Sequence, residues 1–341
     1  MVQVSVDHIR VRLAEIEARK AFLEKKSSTP PERLRRHEVW RHDYLSYPYL
    51  IGAPRDRVAK RFCDIFMNTG ELMPNGKLGP HDFVIDDNWT AKFTHMLEEY
   101  GSRGGTPSDV IANARAPFVR YFENGAPVAM RMFEGYEPPA SPFLVKYGRK
   151  EFLEPMLREG RLRISPASFY SDSNLIASVQ DDEINRTFFI PTFRERLAGK
   201  DSILFQGHTL RFGDDDIVMP VVCPDYYLFS LCDHIYHRLP TDFNADAALI
   251  IKNPTTFTQR VVSHFLAMNP EWEPLLGPVT YYDPYRDHTK VRVPEMGKHF
   301  GYAYQREVRM AFQSIRPIKT ALSPVFLKIG ELTDIAELLS V

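Results

Sequence analysis

The stretch Lys298-His-Phe-Gly-Tyr302-Ala-Tyr304-Gln305-Arg-Glu307-Val-Arg309-Met-Ala-Phe312 decides how the rest of the chain is read. At a period of two, Tyr304, Val308, Met310 and Phe312 share one face, with Arg306 the lone exception on it. Gln305, Glu307, Arg309 and Gln313 share the other. Side chains alternate across a strand, so this pattern predicts a strand over Ala303–Phe312 with one apolar and one polar face. Periodicity alone describes the polar face as solvated. The order Gln-x-Glu along it also sets an amide beside a carboxylate on one side of the strand, which is a pattern with catalytic potential.

Outward from that strand, the chain is 341 residues long, enough for one large or two ordinary domains. Its 44% hydrophobic and 26% charged residues are globular proportions, and a formal net charge of −1 gives no global pull towards nucleic acid or membrane. Residues 1–61 differ, with fourteen Lys/Arg against eight Asp/Glu, an excess of six. Cys63, Cys223 and Cys232 are too few and too scattered for a disulfide framework or a thiolate metal site, and no metal is expected. No apolar run reaches the roughly 18 residues of a membrane span. Met1–His8 lacks the basic and apolar regions of a secretion signal. The expectation is a cytoplasmic protein with no membrane contact.

The first third reads as helical. Residues 5–26 form a helix capped by Ser5 or Asp7, with Ile9, Leu13, Ile16 and Phe22 as its apolar positions and Ser27–Pro31 as its stop. Val58, Phe62, Ile65 and Phe66 mark a helix over 54–68, and further helices are expected over Trp89–Tyr100 and Pro107–Phe122. Glu32–Tyr44 interleaves basic and aromatic residues, which suits either phosphate and base contacts or a charged helix face with Trp40 packed inward. The Gly- and Pro-rich Glu134–Pro142 marks a boundary, giving a helical N-terminal domain over 1–138 and an α+β domain over 139–341. In the latter, strands are expected at Phe143–Gly148, Leu162–Ile164, Ser202–Phe205, His208–Phe212, Ile217–Cys223, Tyr226–Leu231, Ala247–Ile251, Val279–Tyr282, Ala303–Phe312 and Val325–Ile329. Helices are expected at Arg149–Glu159, with Gly160 in the C′ position, and at Asn174–Ile184, Phe257–Ala267 and Ile335–Leu339. The fold class is therefore α+β, with an antiparallel-rich sheet.

Common signatures are missing: the chain has no Walker loop, GxGxxG, HExxH or GxSxG. Asp214-Asp215-Asp216 reads as a turn, Asp181-Asp182-Glu183 as a partner for basic strand ends, and Cys232, Asp233, His234 and His237 lack the second ligand pair of a zinc site. What remains is spread over several strands: Lys146 and Tyr147 on the first, Ser165, Ser168 and Tyr170 after the second, Ser230 on a middle one, and Gln305, Glu307 and Arg309 on a late one.

Together these residues resemble the ADP-ribosyltransferase fold, whose members combine a first-strand basic or polar residue, a second-strand Ser or Tyr element and a late-strand Gln/Glu-x-Glu. A closer likeness is to a large uncharacterised bacterial family related to that fold. Its features are matched here by Lys146-Tyr147-Gly148, the Ser165–Asp172 turn, Val279-Thr-Tyr281, and Lys298 followed by Tyr304, Glu307 and Arg309. The likeness covers about residues 140–330. It implies a split sheet with NAD as substrate in its cleft, Glu307 and Gln305 as catalytic residues, and Lys146, Tyr147, Ser165, Ser168, Tyr170 and Arg309 around the NAD. Glu307 would stabilise an oxocarbenium-like transition state and Gln305 would orient the acceptor. The implied activity is transfer of ADP-ribose from NAD to a nucleic-acid or protein acceptor, in a toxin or anti-phage effector. The basic N-terminal region would dock that acceptor or a neutralising partner protein. Two departures, Lys146 in place of Arg or His and Ser165-Pro-Ala-Ser168 in place of Ser-Thr-Ser, keep two rivals open. One is a non-catalytic module binding nucleotide, nucleic acid or protein, and the other is an NAD glycohydrolase.

Overall fold

The computed structural model describes residues 4–28, 33–80, 87–121 and 126–341. The expected stop at Pro30-Pro31 and the expected helix end at Phe122 lie outside them. The chain is α+β, helical in its N-terminal part and built on a largely antiparallel sheet thereafter. Two compact units divide it: 1–70, 80–117 and 187–219 form the first, and 71–79, 118–186 and 220–341 the second. Against continuous segments 1–138 and 139–341, residues 187–219 go with the first unit, while 71–79 and 118–138 go with the second. A change in composition marks where local texture shifts, whereas compactness follows which side chains pack together.

In the first unit Ser5 caps helix Val6–Ser27, its hydroxyl accepting from His8 N at 3.2 Å. Ile9, Ile16 and Leu23 of that helix pack with Leu45, Ile51 and Phe193. Phe22 is exposed because the buried stripe runs in steps of seven and Phe22 sits one residue, about 100°, off it. The cationic excess of the first 61 residues is offset by carboxylates from later in the same unit. Arg12 meets Glu99, Arg19 and Arg41 meet Glu98, Arg55 meets Asp109, and Arg57 meets Asp215 and Asp216.

Among the described residues the second unit carries an eight-stranded sheet: β1 (Leu144–Gly148), β2 (Arg161–Pro166), β3 (Tyr227–Cys232), β4 (Ala247–Ile251), β5 (Trp272–Pro278), β6 (Glu307–Ser314), β7 (Val325–Lys328) and β8 (Ala336–Ser340). Their order is β5-β6-β3-β1-β4-β8, with β2 joining β3 and β7 pairing β2, all antiparallel. Along one edge β3 pairs only with β6, from Glu307↔Cys232 to Phe312↔Tyr227. Along the other it meets β1 at Val145↔Cys232 and β2 at Ser165↔Leu228 and Pro166↔Tyr227. The sheet forks there.

Several sequence expectations are corrected. Residues 174–184 are turns and bends instead of a helix, and Ile335–Leu339 falls mostly in strand β8. The strand expected from Ala303 begins at Glu307. Phe300–Gln305 is a 3₁₀ helix, and Arg306 turns the chain with a left-handed φ of 45° while Asp233 holds its guanidinium at 2.7 and 3.1 Å. Alternation in sequence could not reveal that turn, because Arg306 has no residue-type signature for it.

One face of the sheet is an apolar core. Tyr227, Phe229, Leu231, Met310 and Phe312 pack under helices Lys150–Glu159 and Pro254–Met268, and Phe265 stacks on Phe312 with ring centroids 3.8 Å apart. Gly160 ends the first of these helices in the left-handed conformation, as the C′ reading expects. A Cβ there would lie 2.0 Å from Gly330 O, so only glycine fits.

Candidate functional site

Residues opposite each other on neighbouring strands point to the same face, so the register of β3 and β6 puts Glu307, Arg309, Ser230 and Leu228 together on the face away from the helices. This polar face is not solvated. Glu307 is 4% exposed and Arg309 0%. Burying charges at that depth requires close pairing, and the pairing is complete. Glu307 Oε1 accepts from Ser230 Oγ at 2.6 Å and Arg309 Nε at 2.9 Å, and Oε2 accepts from Lys298 Nζ at 2.6 Å. The Glu307 amide donates to Tyr281 OH at 2.9 Å. The short parallel pair Thr280–Tyr282 and Gly297–His299 sets Tyr281 opposite Lys298, which brings both onto Glu307.

Arg309 carries the network further. Its guanidinium donates to both Glu183 oxygens at 2.7 and 2.9 Å, to Tyr226 OH at 3.1 Å and to Glu295 O at 2.7 Å. Lys298 Nζ stands 3.9 Å from Glu183. Two carboxylates and two cations therefore form a buried quartet, and a third buried cation, Arg186, stands 3.9 Å from Glu183. Burial works against the charge on Glu307, but Arg309, Lys298 and the hydrogen bonds from Lys298 and Ser230 outweigh it and hold its carboxyl well below the usual range. Burial likewise opposes the charge on Lys298, and Glu307 and Glu183 outweigh it, so the ammonium is held above its ordinary value.

Beside the quartet, at the fork of the sheet, lies a cavity of about 150 Å³. Lys146, Tyr147, Tyr170, Ser230, Gln305 and Glu307 all line it, together with Lys298, Glu183 and Phe243. Lys146 pairs across β4 with Leu249, a core residue, so its stem leaves from the face opposite Glu307. Its ammonium reaches the fork, 4.5 Å from the Phe229 ring centroid, and donates at 2.7 Å to Ser230 O, between the points where β1 and β2 join β3. Burial lowers the Lys146 pKa, with Cys232 and Glu307 opposing. Burial and the Glu307 charge push the Cys232 thiol up to about 12, which removes it as a nucleophile.

Gln305 reaches the cavity from its 3₁₀ helix, not from the strand. Its Nε2 donates to Ser178 O at 2.7 Å, and no described residue engages its Oε1. Tyr147 stacks on Phe243 with centroids 6.0 Å apart. Tyr170 shares a hydrogen bond with Ser165, and burial, then Glu307 and Glu183, raise its pKa. Three expected site residues stay outside the cavity wall. Ser165 supports Tyr170, exposed Ser168 is tied to Asp225 at 2.6 Å, and Arg309 spends its donors on Glu307, Glu183, Tyr226 and Glu295 O. Glu183, Tyr226 and Tyr281 complete the network. Glu183 was readable as a partner for a late-strand cation and Tyr281 belonged to the Val279-Thr-Tyr281 strand of the likeness, whereas Tyr226 carried no signal beyond a strand-edge aromatic. Among the described residues, no group of three or more His, Cys, Asp or Glu is placed to hold a metal ion, and no helix is long and apolar enough to cross a membrane.

The arrangement supplies a fixed anion, aromatic walls, and an unused amide oxygen. Such a site can stabilise positive charge developing on a bound group without reorganising. No family model, curated protein or solved structure matches the chain.

Proposed function

We propose that the second unit is an ADP-ribosyltransferase-like catalytic unit that cleaves NAD and passes ADP-ribose to a nucleic-acid or protein acceptor. The observation that carries this reading is the convergence of Lys146, Tyr147, Tyr170, Gln305 and Glu307 on one cavity at a forked antiparallel sheet. A cavity of about 150 Å³ suits one six-membered ring, and Tyr147, Tyr170 and Phe243 offer aromatic walls to nicotinamide. Glu307, held ionised, would stabilise the ribosyl cation as the C–N bond breaks and its electron pair leaves on nicotinamide. The acceptor's lone pair then forms the new bond at the same carbon while its proton leaves to water, with Gln305 Oε1 orienting the acceptor by taking a hydrogen bond from it. On this reading the basic N-terminal segment docks the acceptor or a neutralising partner, and a toxin or anti-phage role follows from modifying a host or phage component.

The test is nicotinamide release and transfer of label from radiolabelled NAD to total cellular RNA, DNA and protein. Wild-type protein is expected to release nicotinamide, and Glu307→Gln is expected to lose roughly 10³-fold in rate while staying folded. Absence of both release and labelling would sink the proposal. Release without labelling assigns glycohydrolysis instead. A non-catalytic module is the second reading, and the closure of Glu307 by three donors favours it. A binder would keep its affinity for NAD in Glu307→Gln by calorimetry and release nothing.

A further inference from the structure

Two lysines line the cavity at the fork, and their surroundings push them apart. Lys298 has Glu307 Oε2 at 2.6 Å and is held as an ammonium. Among the described residues, no carboxylate forms an ion pair with Lys146. Its Nζ makes one hydrogen bond, to Ser230 O at 2.7 Å, and lies over the Phe229 ring, 4.5 Å from the centroid. With that single acceptor an ammonium leaves two N–H groups unmet, whereas a neutral amine leaves one and carries a free lone pair. The stem leaves β1 opposite Leu249 of the apolar core, and the neighbouring Cys232 thiol stays protonated, so neither supplies a counter-charge. Burial without a counter-ion favours the uncharged amine, which is how a lysine becomes a nucleophile.

We infer that Lys146 is an imine-forming lysine that captures a small aromatic aldehyde in the cavity at the fork. A volume of about 150 Å³ holds one six-membered ring, and Tyr147, Tyr170 and Phe243 wall it. The Nζ lone pair bonds to the carbonyl carbon as the C=O π pair moves onto oxygen. Both amine protons then leave with that oxygen as water, and the nitrogen lone pair closes the C=N bond. Lys298, fixed as an ammonium on the same wall, offers a cation to the negative charge that develops on the oxygen. This activity goes beyond ADP-ribose transfer and needs no NAD. An ammonium at Lys146 would hold an anion and could not attack a carbonyl, so reactivity separates the two states.

The experiment incubates the full chain with pyridine-3-carboxaldehyde and cyanoborohydride and maps the modified lysines by peptide mass spectrometry. Cyanoborohydride delivers hydride to the imine carbon while solvent supplies a proton to the nitrogen, which fixes the adduct. At pH 7 Lys146 should be labelled at least ~10-fold faster than exposed Lys200, because each unit of lowered pKa gives about tenfold more free amine. The Lys146 rate should also fall away at a lower pH than that of Lys200, and its advantage should vanish in urea. Lys146→Arg keeps the charge and removes the nucleophile, so it should lose this adduct and keep the others. The wild-type ratio needs no variant, so a misfolded Lys146→Arg leaves the test intact. Labelling of Lys146 no faster than Lys200, or an advantage that persists in urea, overturns the inference. Nicotinamide release from NAD with an unreactive Lys146 keeps the transferase and removes the imine. An adduct at Lys146 without nicotinamide release does the reverse.

Discussion

Glu99 in the first unit and Glu307 in the second are built alike. Each carboxylate is buried, meets two cations and accepts from one hydroxyl: Arg12, Arg103 and Tyr44 around Glu99, Arg309, Lys298 and Ser230 around Glu307. Each is held below the usual carboxylate range although burial pushes the other way. They differ in what lies beside them. Glu99 is 0% exposed, and neither it nor its partners line the cavity at the fork, whereas Glu307, Lys298 and Ser230 do. A buried ion network by itself is therefore a packing device as readily as a site, and access by a ligand separates the two.

The largest effect expected from breaking this comparison is on turnover. Glu307→Gln should cost roughly 10³-fold in nicotinamide release, and Glu99→Gln should leave the rate within about twofold once both proteins are shown to be folded. Equal losses would show that the two glutamates play the same structural part. Next come the guanidinium partners. Removing one member of a buried pair leaves an uncompensated charge, so Arg12→Met and Arg309→Met should each lower stability by about 3–5 kcal/mol in urea titrations. A much smaller cost for Arg309→Met would mean that water enters the quartet.

A pH scan sharpens the likeness between the units. Glu99 and Glu307 have folded pKa values below their unfolded value of 4.5, so their contribution is present above it and is lost as pH falls. Asp216 in the first unit and Asp181 in the second run the other way. Burial, helped by Asp215 for one and Glu183 for the other, pushes both up to about 7 against Arg57 and against Lys298 and Arg309. Their contribution is complete below the unfolded value of 3.8 and is lost as pH rises through 7. Asp216→Asn should therefore shrink the drop in urea midpoint between pH 5 and pH 8, and an unchanged drop would contradict the assignment. The smallest effect is expected at Ser168. Its exposed hydroxyl serves Asp225, so Ser168→Ala should cost about 0.5–1.5 kcal/mol and leave nicotinamide release untouched.

Much of the site was legible because strand periodicity is a local property. Glu307 and Arg309 do share a face, Lys146 and Tyr147 do lie on strand β1, and Gly160 does end its helix. The face was misread as a solvated one, since alternation reports which residues point together and not what covers them. Lys298 and Glu183 were readable as ion-pair partners but could not be ranked, because their value depends on distances across more than a hundred residues of chain.

The sequence by itself determined the α+β class, most of the strands of the forked sheet and the polar file on its last long strand, all through spacing between near neighbours. Tertiary structure alone decided that Gln305 leaves the strand through the left-handed Arg306, that β3 shares one edge between β1 and β2, and that a cavity opens at that division. Those features depend on which distant strands hydrogen-bond and where their register ends, and no local pattern encodes either.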